Sequence, residues 1–142
     1  MADTDRTDRL RHLLRKANKA MRSSWVDALE PLDLSPFQLR ALRVIADSDG
    51  VRPGQVAQEL GIAPRSATEA IEQLRDKGLV DRKPDPSDRR ATLVSVTPEG
   101  AGKAAEAAKA CAKHAEQFFG DLDDRQQVAL EFLLGKLAAA TD

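Results

Sequence analysis

Two short segments carry the side chains best suited to chemistry, and both offer hydrogen bonds and positive charge rather than catalysis. The first segment, residues 64–73, leaves six polar side chains off its apolar stripe, of which all but Glu72 are candidate contacts: Arg65, Ser66, Thr68, Glu69, Glu72 and Gln73. A guanidinium can donate two hydrogen bonds to guanine, hydroxyls can reach phosphates or bases, and a carboxylate can accept from the amino group of cytosine. This set predicts contacts to the base edges and phosphates of double-stranded DNA.

The second segment, residues 84–90, combines turn-forming residues with two adjacent arginines, Arg89 and Arg90. Arginines on a loop can enter a narrow minor groove, where the potential of DNA is most negative. Asp88 stands two residues before Arg90, and we expect it to hold the guanidinium in place. The alternative interpretation is a solvated turn with a local ion pair.

A helix-turn-helix must position the first of these segments. Residues 53–60 predict a short helix, Gly61 provides its C-terminal cap, and a second helix runs from Pro64 to Lys77 before Gly78. An apolar stripe at helical spacing turns the second helix inward: Ala67, Ala70, Ile71 and Leu74. Such a helix can lie in the major groove with its N-terminal residues at the bases. Any two packed helices joined by a glycine turn are the alternative.

The remaining elements frame this centre. Two strands, residues 79–83 and 91–96, predict a β-hairpin with a long tip between them. Further helices are expected at residues 6–29, at 98–119, at about 123–140, and from Pro36 to about Asp47, with Ser35 as N-cap. The fold class is therefore mainly α with a small β-hairpin wing, a winged helix-turn-helix. The absence of a linker predicts a single domain over residues 1–142.

Composition excludes several classes of protein. The chain has 142 residues, of which 42% are hydrophobic and 32% charged, as in a globular domain. Because no apolar run approaches the roughly 18 residues of a membrane span, we expect no membrane partner. The charged segment Met1 to Arg11, with no apolar signal segment after it, and the single cysteine predict a cytoplasmic protein. Because the chain has one cysteine and two distant histidines, we expect no metal site. The sequence contains neither a phosphate-binding loop nor a nucleophile–base pair in motif spacing, so we expect no cofactor and no enzymatic activity. The net charge of −1 gives no support for nucleic-acid binding.

Four segments resemble the multiple antibiotic resistance regulator (MarR) family: residues 34–38, 62–68, 74–80 and 88–97. The last segment contains Asp88 and Arg90 in the family's Asp-x-Arg spacing and is the most specific match. The resemblance implies a DNA-binding winged helix over about residues 34–97 and dimerisation helices over about 6–29 and 98–140. It also implies that Arg90 enters the minor groove. Two departures are Ala63, where an Asp or Ser N-cap is common, and Glu69, where a basic residue is frequent.

The partners follow from the same resemblance and from the apolar stripes of the end helices. They are a homodimer, an imperfect palindromic operator and a small-molecule effector that releases a repressor from DNA. His12, Arg15 and Trp25 are the candidate effector contacts. Cys111 is interpreted as a small buried hydrophobe, and the alternative is a redox switch or an intersubunit disulfide. Because the first helix lacks the thiol of redox-sensing members, the effector is expected to act without Cys111. The alternative function is a winged-helix module that binds another protein and no DNA, and the arginine pair favours DNA.

Overall fold

In the computed structural model, residues 2–140 are described, so Met1, Thr141 and Asp142 of the predicted domain lie outside the described residues. Over this range the helices and strands follow one another in the predicted order. They are α1 (Ala2–Leu29), a 3-10 turn (Glu30–Leu32), α2 (Pro36–Ala46), α3 (Pro53–Leu60), α4 (Pro64–Asp76), β1 (Val80–Asp85), β2 (Asp88–Val96), α5 (Pro98–Phe119) and α6 (Asp124–Ala139). The predicted mainly α fold with a β-hairpin wing is confirmed.

Local signals set most of the helix ends. The Ser35 hydroxyl accepts from the Gln38 amide at 3.0 Å, and the Gln38 side chain accepts from the Ser35 amide at 3.1 Å, a reciprocal cap at the start of α2. Gly61 closes α3 with φ of 62°, and Gly78 follows α4 with φ of 74°. Glycine adopts this left-handed conformation without steric cost, so both glycines stop their helices as predicted.

The hairpin differs from its prediction. The strands extend to Asp85 and from Asp88, which leaves Pro86 and Ser87 as the turn. The predicted long tip over residues 84–90 is therefore wrong, and the arginine pair lies in β2 rather than on a loop. The cause is the side chain of Asp85, which accepts from Ser87 and folds the turn back early. Pro84 is accommodated because the register shifts next to it, where a missing amide does not interrupt the ladder.

Val51, shortly before α3, forms an isolated bridge to this two-stranded sheet. Val51 exchanges both backbone hydrogen bonds with Val94 of β2, at 3.0 and 2.8 Å. No pattern in the sequence predicts this bridge. It attaches the chain that enters α3 directly to the wing.

The contacts divide the chain into two compact units, and one of them, Trp25–Cys111, holds the helix-turn-helix and the hairpin. Its core consists of fully buried aliphatic side chains from α2, α3, α4 and the hairpin: Leu42, Ile45, Val56, Ile71, Leu74, Val80 and Val94. Because α4 buries Ile71 and Leu74, its polar face is left at the surface. The predicted inward stripe of α4 is confirmed.

The other unit takes the chain up to Ser24 together with the residues from Ala112 onward. Large apolar side chains stay exposed on its helices: Leu10, Leu13, Leu14, Val128, Phe132, Leu133, Leu134 and Leu137. Within this unit Ser24 Oγ lies 3.1 Å from His114 Nδ1. Given the two units, the single domain stays a prediction. Nowhere in residues 2–140 does a helix have the length and apolarity needed to cross a membrane.

Candidate nucleic-acid interface

The start of α4 presents an uncapped helix end. Ala63 occupies the N-cap position with extended backbone and supplies no side-chain cap, and Pro64 takes the first helical position. The amides of a first helical turn carry partial positive charge. Because Ala63 has no acceptor on its side chain, this end of α4 is suited to a phosphate oxygen.

The exposed face of α4 begins with an ion pair. Arg65 Nε lies 3.4 Å from Glu69 Oε1, and the two side chains are 91% and 64% exposed. Thr68 Oγ1 donates to the Pro64 carbonyl at 3.0 Å, and Ser66 is half-buried. Glu69 thus has a partner within its own helix.

Gln73 is held from outside its helix. Its side-chain oxygen accepts from Nε2 of Gln38 at 2.8 Å, and Oε1 of Gln38 also accepts from Lys77 Nζ at 3.1 Å. Lys77 in turn donates to the carbonyl of Asp33. This network joins the start of α2 to the exposed face of α4, so α2 fixes the orientation of Gln73.

The wing brings its two arginines to the surface, because Arg89 and Arg90 are both exposed on β2. Asp88 has a different role from the predicted one: its Oδ1 accepts from the backbone amide of Arg90 at 3.0 Å. In the described residues no contact joins this carboxylate to the Arg90 guanidinium, and the expectation that Asp88 holds that side chain is corrected. A carboxylate two residues upstream reaches the local amide more easily than the end of a long side chain.

A buried carboxylate lies just before the turn of the wing. Asp85 is 7% exposed, and its Oδ1 accepts from the amide of Ser87 at 2.9 Å and from its hydroxyl at 2.7 Å. Oδ2 accepts from Arg52 Nη2 at 2.7 Å and Nε at 3.1 Å. The Ser87 hydroxyl, the Ser87 amide and the Arg52 guanidinium lower the pKa of Asp85 from 3.8 to about 2. Asp85 is therefore ionised at neutral pH.

Besides the Arg52–Asp85 pair, an ion pair between Glu72 and Arg82 joins α4 to the wing. Arg82 Nη2 on β1 lies 2.6 Å from Glu72 Oε1, whose other oxygen lies 3.8 Å from Arg75 Nη1. The Nε of Arg82 is buried without a hydrogen-bond partner among the described residues. Glu72 thus fixes β1 against α4.

Sequence reasoning missed the residues that support the site: Gln38, Arg52, Glu72, Arg82 and Asp85. Arg52 and Asp85 are 33 residues apart in the chain, and no periodicity links them. The available signals were weak, namely an arginine directly before the helix-starting Pro53 and an aspartate between two prolines.

The predicted DNA contacts, Arg65, Ser66, Thr68, Glu69, Gln73, Asp88, Arg89 and Arg90, all lie in the unit Trp25–Cys111. The candidate effector residues do not share a unit, because His12 and Arg15 are exposed on α1 in the other unit, whereas Trp25 is half-buried. Their role stays a prediction. Cys111 is a free thiol packed against the core and is half-buried rather than buried, so its role stays a prediction.

Residues 32–91 match the model of the MarR family. Over 71 residues the chain is 44% identical to the HTH-type transcriptional regulator ML2140 of Mycobacterium leprae, covering 50% of this chain and 48% of that protein. It therefore spans about half the length of curated relatives of this kind. The HTH-type transcriptional repressor NicR of Pseudomonas putida is 28% identical over 94% of this chain and 84% of its own.

The fold is likewise similar to a solved structure, that of a mutant MarR from E. coli complexed with operator DNA. The TM-score is 0.77 with 26% identity, over 90% of this chain and 92% of that one. ML2140 and NicR are named as a transcriptional regulator and a transcriptional repressor, a class of protein distinct from enzymes. Residues 32–91 therefore resemble the MarR family, and the chain as a whole is similar in fold to MarR of E. coli and in sequence to NicR.

Proposed function

We propose that the protein is a sequence-specific, double-stranded DNA-binding transcriptional regulator without catalytic activity, which acts as a homodimer and represses transcription. The observation that carries the proposal is the pairing, within one unit, of an exposed polar face on α4 with two exposed arginines on the wing. A helix and a hairpin of this kind can contact the major groove and the adjacent minor groove together.

The roles differ between the two elements. Arg65 stands at the N-terminal end of α4, where a guanidinium can reach a base edge in the major groove, with Thr68, Glu69 and Gln73 further along the helix. Arg89 and Arg90 supply positive charge to phosphates and the minor groove. The net charge of −1 is no obstacle, because these arginines are local to the proposed interface.

The exposed apolar side chains of α1 and α6 support the homodimer. Phe132 is 62% exposed, Leu10 59% and Val128 66%, and monomeric proteins rarely leave so many large apolar groups in water. A second copy of the chain would cover them. Twofold symmetry would then present two copies of α4 about one helical turn apart, which requires an imperfect palindromic operator.

Repression is supported by the names of similar proteins, and effector release by the similar structure of BpsR from Bordetella bronchiseptica, whose DNA binding is regulated by 6-hydroxynicotinic acid. NicR is named a repressor, and the E. coli MarR mutant is bound to operator DNA. We extend the proposal to a small-molecule effector, with His12, Arg15 and Trp25 as its candidate contacts. A protein that acts on the chromosome in this way works in the cytoplasm.

The test is selection of bound fragments from genomic DNA, followed by footprinting and light scattering at micromolar protein concentration. We expect a protected, imperfectly palindromic site, affinity that falls steeply with salt, and a particle of twice 15.5 kDa. A stable monomer, or no duplex bound even at low salt, would contradict the proposal. In the second case a partner protein captured through the winged helix would favour the protein-interaction module.

A further inference from the structure

The tip of the wing, residues 84–90, carries the arginine pair at the far end of a two-stranded hairpin. A hairpin of this kind is marginally stable by itself in water. Its base is tied down by the Val51–Val94 bridge and by the Glu72–Arg82 ion pair. Arg82 precedes the tip and Val94 follows it, so neither contact fixes the turn itself.

A separate contact reaches the tip from the start of α3. Among the described residues, Arg52 forms the ion pair that joins the tip to a helix, through Asp85. Arg52 itself is anchored on both sides. The preceding residue, Val51, pairs with β2, and the Arg52 amide donates to Oε1 of Gln55 at 3.0 Å. The backbone that carries the Arg52 guanidinium is therefore held in place.

Asp85 connects Arg52 to the turn of the wing. One carboxylate oxygen accepts two hydrogen bonds from Arg52, and the other accepts two from Ser87. Asp85 also lies opposite Asp88 in the strand register, directly before the arginine pair. Loss of either donor would leave a buried carboxylate with unsatisfied oxygens, which costs free energy. The hydrogen bonds of Asp85 to Arg52 and Ser87 therefore restrict where β2 begins.

We infer that Arg52 is a positioning residue for DNA binding, which acts through Asp85 to set the place of Arg89 and Arg90 relative to α4. The inference rests on the proposed function. The inference extends the proposed function by giving Asp85 a role. By its charge alone, this carboxylate would be unfavourable on a surface that faces phosphates. Removal of this negative charge should strengthen binding if charge alone matters, and should weaken binding if position matters.

That difference in sign defines the experiment. Asp85→Asn and the control Asp81→Asn each remove one negative charge from β1, and Asp81 is exposed. With the selected operator we expect Asp85→Asn to bind roughly three- to tenfold more weakly, and Asp81→Asn to bind equally well or more tightly. Hydroxyl-radical protection in the minor groove should fade for Asp85→Asn, while methylation protection of guanines in the major groove persists. Equal or tighter binding by both variants would overturn the inference.

A measurement without DNA separates this inference from the proposed function. Arg52→Gln leaves the Asp85–Ser87 contacts in place, and amide hydrogen exchange should become faster in residues 87–90 while the amides of α4 keep their protection. Unchanged exchange at the tip would show that Arg52 does not hold it and would overturn the inference. If the tip loosens but the wild-type protein binds no duplex, the proposed function fails and the positioning role on DNA fails with it, whereas the anchorage of the tip stands.

Discussion

Nε of Arg65 lies 3.4 Å from Oε1 of Glu69, one helical turn further along α4. Both side chains are mostly in water, and an exposed pair at this spacing contributes little to stability. Its consequence is for recognition. The carboxylate gives the guanidinium a preferred direction along the exposed face of α4. In the proposed interface, the weak pairing would let Arg65 exchange Glu69 for a base.

Arg65→Ala is expected to cost about 1–3 kcal/mol of binding free energy on the operator and to relax the preference at one base pair in each half-site. The reason is loss of a donor to a base edge, a contact that scrambled DNA does not reward. Titration against the operator and against single-base variants measures this. Arg125→Ala is the charge-matched control, since Arg125 is exposed on α6 outside the winged-helix unit. Equal losses on every sequence would show that Arg65 contacts only phosphate.

Arg90→Ala is expected to behave differently. Minor-groove and phosphate contacts distinguish sequences poorly, so binding to operator and to scrambled duplex should weaken by similar factors. The slope of log affinity against log salt should fall in magnitude by about one, because one fewer phosphate contact releases counterions. Circular dichroism must match that of the wild type. Unchanged affinity for both duplexes in a folded variant would remove the wing from the interface.

The sequence predicted those elements whose ends are determined locally. Ser35 and Pro36 start α2, and Gly61 and Gly78 close the helices before them, because each needs only its own backbone conformation or a residue three positions away. The exposed face of α4 followed from the burial of its apolar stripe.

The supporting contacts could not be predicted in this way. The turn of the wing was placed wrongly because its register depends on the side chain of Asp85, whose partner Arg52 lies in another element. The role of Asp88 was misjudged for a related reason: its carboxylate satisfies a local amide, which sequence spacing does not distinguish from a contact with the Arg90 guanidinium. Interactions that fix orientation are non-local, whereas those that start and stop helices are local.

The stability of the wing should depend on pH through Asp85. Its pKa is lowered from 3.8 to about 2, first by the Ser87 hydroxyl, then by the Ser87 amide and the Arg52 guanidinium. The unfolded state therefore binds more protons between these values, and the stabilisation is complete above pH 3.8 and is lost as pH falls toward about 2. The difference in unfolding free energy between wild type and Asp85→Asn should be constant near neutral pH and shrink over this acidic range. Urea unfolding at several pH values measures it.

Ser87→Ala tests the first-named cause of this shift. Loss of the hydroxyl should raise the pKa of Asp85 toward its ordinary value, while the Ser87 amide and Arg52 remain as donors. NMR titration of the Asp85 carboxyl carbon reports it directly. A wild-type carboxyl that titrates near 3.8 would contradict the proposed set of hydrogen bonds.

Gly100 marks a close approach between the first turn of α5 and the chain that leaves α4. A Cβ at this position would lie 1.9 Å from the carbonyl oxygen of Leu79, which is backbone and already accepts from the Thr97 amide at 3.0 Å. Gly100→Ala must therefore push α5 away from the base of the hairpin, and we expect a loss of about 1–3 kcal/mol in the free energy of unfolding. Gly102→Ala is the matched control two residues later, with nothing within 4 Å of its Cβ. Because alanine is the better helix former, the control should gain about 0.5–1 kcal/mol in the same urea titration. Two variants of equal stability would show that α5 does not pack against Leu79 as closely as the structure places it.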